Sequence, residues 1–276
     1  MGRPLTLIEI YARINKDAIT PEELLSFLTH EIRMKRIKEE DGFYWSVDAV
    51  TSSTMRREQD LLLDTKWAIL TNLSQWFHWI PFVEFVCVSG SMSFSNVHDR
   101  SDFDVVTGVH KGRMFTTRYL LIALFSLLRA RRVDDLGESN ANKVCFNHFV
   151  TVDTYEKEPH NHYRHELYRN MIPIWAEEAA YRAFVEANRW SGILPESLLD
   201  MHRVHTQKNK WVRCIERVLS GKFGDYIEQY IAKPIAMKRL SAYIARKGEG
   251  DRVIVSDEEL EFHFDLNYEK QFAEIQ

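Results

Sequence analysis

Cysteine is scarce: Cys87, Cys145 and Cys214 are the three in 276 residues, odd in number, far apart and without metal-ligand spacing. A disulfide framework is therefore excluded, and free thiols in a reducing, cytoplasmic setting are expected. Glycine (11) and proline (7) are too few for a collagen-like or low-complexity chain, and no internal repeat is present. Long apolar runs are missing too. The longest, Tyr119 to Leu128, is ten residues, about half of what crosses a bilayer, so it predicts a buried helix and no membrane partner. Glu9 and Asp17 stand where a secretory leader would need its apolar stretch, and Arg3-Pro4 after Gly2 disfavours myristoylation. What remains, 45% hydrophobic, 28% charged and a net charge of -4, describes a folded soluble chain with one large or two to three small domains.

Residues 1–50 read as a winged-helix-like unit. Leu7, Ile8, Ile10, Tyr11 and Ile14 have helical spacing, and Thr20-Pro21-Glu22-Glu23 supplies an N-cap, a first-turn proline and a capping-box glutamate. A third helical piece is predicted around Thr29 to Lys35, followed by a hairpin turning at Asp41-Gly42. Arg33, Lys35 and Arg36 would then face DNA, a contact that Glu31, Glu39 and Glu40 weaken; a protein-interaction or structural role fits as well. Residues 51–78 predict a connecting helix with Leu61, Leu62, Trp67, Leu70, Leu73 and Phe77 on one broad apolar face.

In residues 79–156 the hydrophobic period changes. Pro81 to Val88 and Phe103 to Thr107 read as strands, Thr116 to Arg131 as a long helix capped near Thr116 and Thr117, and Lys143 to Val152 as a third strand. The fold class is α+β, with a central sheet flanked by helices and a mostly helical C-terminal region over residues 157–276. Eleven Lys/Arg against three Asp/Glu lie between Met201 and Lys247, then two against nine from Gly248 onward. This asymmetry suits either two solvated faces that attract each other or a basic face for a phosphate-rich acceptor.

The chemistry concentrates in Val88-Ser-Gly90-Ser91 and, ten residues beyond, Ser101-Asp102-Phe103-Asp104. A strand delivers a Gly-Ser turn, and the two carboxylates at i and i+2 share a strand face. Hard oxygen ligands at that spacing suit Mg²⁺, which takes one or two carboxylates plus substrate phosphates. Gly90 allows close approach of a phosphate, and Ser91 can donate to its oxygens. Metal plus phosphate cradle points to phosphoryl-type transfer.

This pattern resembles the signature of the polymerase beta-like nucleotidyltransferase superfamily. Together with Gly42-Phe-Tyr-Trp45, Lys111 to Arg118, Val144-Cys-Phe-Asn-His-Phe149 and Ala187-Asn-Arg-Trp190, it is similar to prokaryotic nucleotidyltransferases with an N-terminal winged-helix-like region. The resemblance implies that Gly90, Ser91 and Ser101 bind nucleotide, that Asp102 and Asp104 bind Mg²⁺, with room for a second ion, and that a nucleoside triphosphate (NTP), ATP among them, is the donor. The acceptor hydroxyl would belong to a small molecule, a protein or an RNA end. It also implies a third carboxylate on the next core strand, where this sequence has none. Asn147, on the face opposite His148, is a neutral candidate ligand; His148 and Asp153 are the other candidates for the role. A nucleotide-sensing regulator built on a degenerate core is the alternative. Lys111, Arg113 and Arg118 could face a triphosphate or solvent. His160, His162, His165, His202 and His205 lack zinc spacing. Trp67, Trp76, Trp175, Trp190 and Trp211 are expected to fill helix contacts, with base stacking open for Trp190.

Overall fold

The computed structural model describes residues 3–14, 19–133, 140–156, 160–193, 208–245 and 252–263. The chain divides into two units, residues 1–65 with 96–98, and residues 66–95 with 99–276. In the first, β1 (Leu5–Thr6), β3 (Phe43–Ser46) and β2 (Ile37–Glu40) form a three-stranded antiparallel sheet in that order, accompanied by α1 (Leu7–Tyr11) and α2 (Pro21–Arg33). The expected hairpin forms, because Asp41 (φ 55°) and Gly42 (φ 79°) both take the left-handed conformation that a two-residue turn requires. The Thr20–Glu23 capping box also forms, with Thr20 N–H donating to Glu23 Oε2 at 2.8 Å and Glu23 N–H to Thr20 Oγ1 at 3.2 Å. Two helices rather than three precede the hairpin among the described residues. Thr29 breaks nothing: its hydroxyl donates to the Leu25 carbonyl one turn back at 2.7 Å, so the predicted second and third helices are one.

Charge holds this unit together. Arg56, on α3 (Ser53–Ser74), is 6% exposed and donates to Glu9 Oε2 and Oε1 at 2.8 and 2.9 Å, to both Asp60 oxygens and to the Pro4 carbonyl. Buried Arg3 reaches Asp60 at 2.7 Å. A buried guanidinium is tolerated because nearly all its N–H groups are satisfied. Although burial raises it, the Glu9 carboxyl is held down to about 2 by hydrogen bonds from Arg56 and Thr6 and by the Arg56 charge.

The second unit begins within α3 and continues through β4 (Val83–Val88), α4 (Gly90–Ser93), β5 (Phe103–Val109), α5 (Met114–Leu127) and β6 (Val144–Val150). Then follow α6 (His162–Arg169), β7 (Ile172–Ala176), α7 (Glu178–Ala187), α8 (Lys210–Leu219), α9 (Lys222–Ile227), α10 (Lys233–Ile244), β8 (Arg252–Val255) and β9 (Glu259–His263). Six strands make one mixed sheet in the order β7-β4-β5-β6-β9-β8. Only β5 and β6 pair in parallel, and α5 provides the crossover that parallel neighbours need. Phe85, Cys87, Val106 and Val150 pack against Tyr168, Tyr181 and Phe184 of α6 and α7 on one face. On the other, Phe125 of α5 stacks on Phe77 and meets Phe146 edge-on, both at 5.0 Å.

The described part of residues 157–276 is mostly helical, but β7, β8 and β9 also come from that segment and complete the sheet, so the sheet does not stop at residue 156. Pro173 disguises β7. It is tolerated because β7 is an edge strand, paired only with β4, at a point where the register shifts. Thr116 and Thr117 do not cap α5 either; buried Glu228 accepts from the Phe115 and Thr116 N–H groups at 2.7 and 2.9 Å. A carboxylate at a helix N-terminus satisfies orphan donors and the dipole together.

Glu9 gives an acid-sensitive first unit. Its carboxyl titrates near 4.5 when unfolded and about 2 when folded, so its contribution is present above 4.5 and drains away as pH falls toward 2. Glu9→Gln should cost about 2 kcal/mol in urea unfolding at pH 7. The difference from the parent chain should shrink as pH falls below 4.5. A difference independent of pH would show that the carboxylate is not what binds Arg56.

Candidate active site

The amino-terminal end of β5 and the carboxy-terminal end of β4 meet at Asp104. Ser89 N–H donates to the Asp104 carbonyl at 3.0 Å, which brings the next residue over the Asp104 side chain. That residue is Gly90, at φ +60°, and a Cβ built on it would lie 2.6 Å from Asp104 Oδ2. Glycine is required twice here, for the left-handed backbone and for the space. Gly90 and Ser91 then open the single turn of α4. The Gly-Ser and Asp-Phe-Asp segments, brought together on sequence spacing alone, are thus neighbours in space.

Asp102 immediately precedes β5, and Asp104 is opposite Cys145 of β6. One side-chain oxygen of each aspartate and the Cys145 sulfur lie within 4.8 Å of one another. Asn147 Nδ2 donates to Asp104 Oδ1 at 3.3 Å. Arg132 Nη1 donates to Asp102 Oδ2 at 2.6 Å and lies 3.8 Å from the Cys145 sulfur. Burial and the adjacent Asp102 charge push the Asp104 carboxyl up to about 7, against the opposing pull of Arg132, Cys145 and Asn147. Burial opposes the charge of Arg132, but Cys145 and Asp102 outweigh it and raise its pKa. The site is a close carboxylate pair with a thiol and an amide at its edge and one guanidinium as counter-charge.

Sheet register decides which of the three candidate residues reaches the pair. From Asp104 to Val106 β5 takes two steps, while β6 takes three from its partners Cys145 to His148. This extra residue is a bulge. It lets Asn147 reach Asp104 and turns His148 to the face of Val106, so strict alternation, the basis for setting Asn147 and His148 on opposite faces, fails here. His148 is spent elsewhere, 3.3 Å from Glu259 Oε1 and opposite Glu261. Asp153 lies beyond the far end of β6, ion-paired with Lys111 at 2.8 Å.

Lys111, Arg113 and Arg118 are not brought here, whereas Ser101 adjoins Asp102. Lys111 and Arg113 follow β5 at its carboxy-terminal end, five residues past Asp104, or about 17 Å along a strand. Arg113 bonds the Leu219 carbonyl and Asp225, and Arg118 lies over the Phe149 and Phe262 rings. Ser101 is buried, and its carbonyl accepts from Lys66 Nζ at 2.8 Å and from Asn142 N–H at 3.1 Å. His160 stacks on Trp190 with centroids 4.1 Å apart, and His165 contacts Glu166. His202 and His205 fall outside the described residues, as does the side chain of His162. Trp67 and Trp175 are buried as expected, whereas Trp211 is 75% exposed.

Three participants were missed. Arg132 directly follows Arg129-Ala-Arg131, but α5 returns the chain to the amino-terminal end of β5, which is the signal that a parallel crossover could have given. Cys145 looked like an isolated thiol until the β5–β6 register set it against Asp104. Lys66, 1% exposed, bonds the Ser101 carbonyl, the Asn142 side chain at 2.7 Å and the Asp99 carbonyl at 3.4 Å, so it ties the approach to Asp102 to the approach to β6. Burial lowers its pKa, and Asp99 and Asp102 partly restore it. Its place in the stripe Leu63, Lys66, Leu70 is where an apolar residue would be expected.

Comparison with family models, curated proteins and solved structures gave no match. The site's geometry is what bears on function.

Gly90→Ala and Gly112→Ala separate space from backbone strain. Gly112 (φ +77°) has nothing within 4 Å of an added Cβ, so only the left-handed conformation is penalised, by about 1–2 kcal/mol. Gly90→Ala should lose about 1–3 kcal/mol more in urea unfolding through collision with Asp104. Equal losses would remove the close approach from the account.

Proposed function

We propose that the second unit is a metal-dependent nucleotidyltransferase. The observation that carries the reading is Gly90 lying against Asp104: a glycine-led turn with backbone and hydroxyl donors touches one of two carboxylates suited to hold a divalent cation. The Asp102 and Asp104 oxygens, close together, fit such an ion, while the Cys145 sulfur beside them is too soft a donor for Mg²⁺ and would stay outside its coordination. Bound Mg²⁺ would neutralise phosphate charge and polarise the α-phosphorus.

Gly90 and Ser91 orient the triphosphate through backbone and hydroxyl donors, and Asp102 and Asp104 fix where its α-phosphate sits. Asn147 keeps Asp104 turned toward the turn without adding a third negative charge. Arg132 is the counter-ion of Asp102 and would also be a donor to phosphate oxygens. An acceptor hydroxyl oxygen forms the new P–O bond at the α-phosphorus, the bond to the bridging oxygen breaks, pyrophosphate leaves with that electron pair, and the hydroxyl proton passes to solvent. The first unit is a separate module; Arg36 on its surface is engaged with Glu31 at 3.4 Å, which weakens the DNA reading.

Calorimetric titration of the four ribonucleoside triphosphates with and without Mg²⁺, followed by pyrophosphate release on the best binder, tests this reading. Asp102→Ala/Asp104→Ala should weaken Mg²⁺-dependent binding more than tenfold and abolish release while the chain still unfolds cooperatively. Full binding by that double variant would move the site elsewhere.

A further inference from the structure

The C-terminal helical arm of the second unit has its acids engaged and most of its bases free of ion pairs among the described residues. All three acids of residues 208–245 have partners, Glu216 and Glu228 turned inward and Asp225 at the surface. Glu216 accepts from Phe82 N–H and pairs with Lys208 at 2.6 Å, Asp225 pairs with Arg113 at 2.7 Å, and Glu228 caps α5. Two of the bases are engaged as well, Lys208 with Glu177 and Glu216, and Lys233 with Asp257 at 2.7 Å. Lys210, Arg213, Arg217, Lys222, Lys238 and Arg239 are exposed and form no ion pair among the described residues. Among the described residues, Lys233–Asp257 is the one pair that joins this basic segment to the acidic segment after it. Six cations of the arm thus have no ion-pair partner among the described residues, and phosphates would supply one.

Rings alternate with these cations. On α8, Val212 and Glu216 face inward, Lys210, Arg213 and Arg217 share one outward face at i, i+3, i+7, and Trp211, Ile215 and Val218 form the adjoining stripe. Phe223, Tyr226 and Tyr230 continue at the same spacing on α9 and the π-helical turn Glu228–Ala232. Trp211 is 75% exposed, Tyr230 71% and Phe223 61%. The Tyr226 and Tyr230 rings lie against each other, tilted by 31° with centroids 5.0 Å apart.

We propose that α8, α9 and this turn form a platform for single-stranded nucleic acid, with Lys210, Arg213, Arg217 and Lys222 on successive phosphates and Trp211, Phe223, Tyr226 and Tyr230 beneath the bases. Cations that track a backbone beside sequence-tolerant stacking rings are what such a strand requires. A duplex hides its base faces and gains nothing from the rings. Given the nucleotidyltransferase reading, on which this use of the platform rests, the acceptor is a strand whose end enters the Asp102–Asp104 site while its body lies on the arm.

Fluorescence anisotropy of the full chain with labelled 20-mers of uridine or deoxythymidine, and a duplex of the same length, tests binding without requiring turnover. Single strands should bind more tightly than the duplex, with log affinity falling against log salt at a slope of about -3, as for four phosphates neutralised on a single strand. Replacing the four cations with Gln should weaken binding at least tenfold and flatten the slope; Trp211→Ala/Tyr226→Ala/Tyr230→Ala should weaken it severalfold with the slope kept. Asp102→Ala/Asp104→Ala should leave strand binding intact, so loss of triphosphate binding and loss of strand binding report on separate readings. Salt-insensitive binding, no binding, or binding unchanged in both arm variants would overturn the platform. So would sedimentation with vesicles containing 30% phosphatidylglycerol in place of oligonucleotide binding, which would make the face a lipid contact.

Discussion

A carboxylate pressed against a glycine backbone organises the second unit. Asp104 belongs to a strand whose neighbours on both sides end or begin within two residues of it: Ser89 bonds its carbonyl, Gly90 covers its side chain, and Cys145 pairs across from it. Desolvating that group disfavours its charge, and Asp102 beside it adds repulsion. A purely structural strand end would replace such a residue with an apolar one. Here instead the fold supplies partial remedies at the margin, an amide from Asn147 and a guanidinium from Arg132 reaching Asp102. A divalent cation would satisfy both carboxylates at once, and the cost of leaving them unsatisfied is what makes the pair an argument for binding rather than for stability.

Buried charges elsewhere in the chain join segments that are distant in sequence. Arg56 joins α3 to the first turn of the chain, Lys66 joins α3 to the approaches of β5 and β6, and Glu228 joins the C-terminal arm to the start of α5. Each supplies several hydrogen bonds from one side chain to backbone groups or to an oppositely charged partner, so desolvation is offset locally. Removing one would leave its partners buried and unmatched, which is why such contacts fix geometry more strictly than apolar packing of similar area.

Local signals were legible and non-local ones were not. The capping box at Thr20 and Glu23, the Asp41-Gly42 turn and the β-branched, aromatic-rich strand Val83–Val88 depend on neighbours a few residues apart, and all three form. The proximity of Gly90 to Asp104 was legible because strand, turn and strand lie within sixteen residues of one another. β7 was lost to Pro173, whose meaning depends on the strand being at an edge, and β8 and β9 to a run of acids that reads as solvated. Thr29 was read as a helix start when its hydroxyl could equally bond back one turn. Placing Cys145, Asn147 and His148 requires the register of β6, where one bulge sets His148 rather than Asn147 opposite Val106.

The two ends of β5 have opposite electrostatic character, and that follows from the single parallel pairing in the sheet. Because β6 runs alongside β5 in the same direction, α5 must leave from the carboxy-terminal end of β5 and return to its amino-terminal end. The departure carries Lys111 and Arg113 away from the carboxylates, into contact with Asp153 and Asp225; the return delivers Arg132 to Asp102. Arg113 and the α5 N-terminus in turn hold Asp225 and Glu228, the acids that would otherwise dilute the arm's charge. The cationic face of α8 and α9 thus depends on the same crossover that supplies the carboxylate pair with its counter-ion. A topology with β5 and β6 antiparallel would need neither the helix nor the return, and would leave Asp102 without Arg132 and the arm's acids without their inward partners.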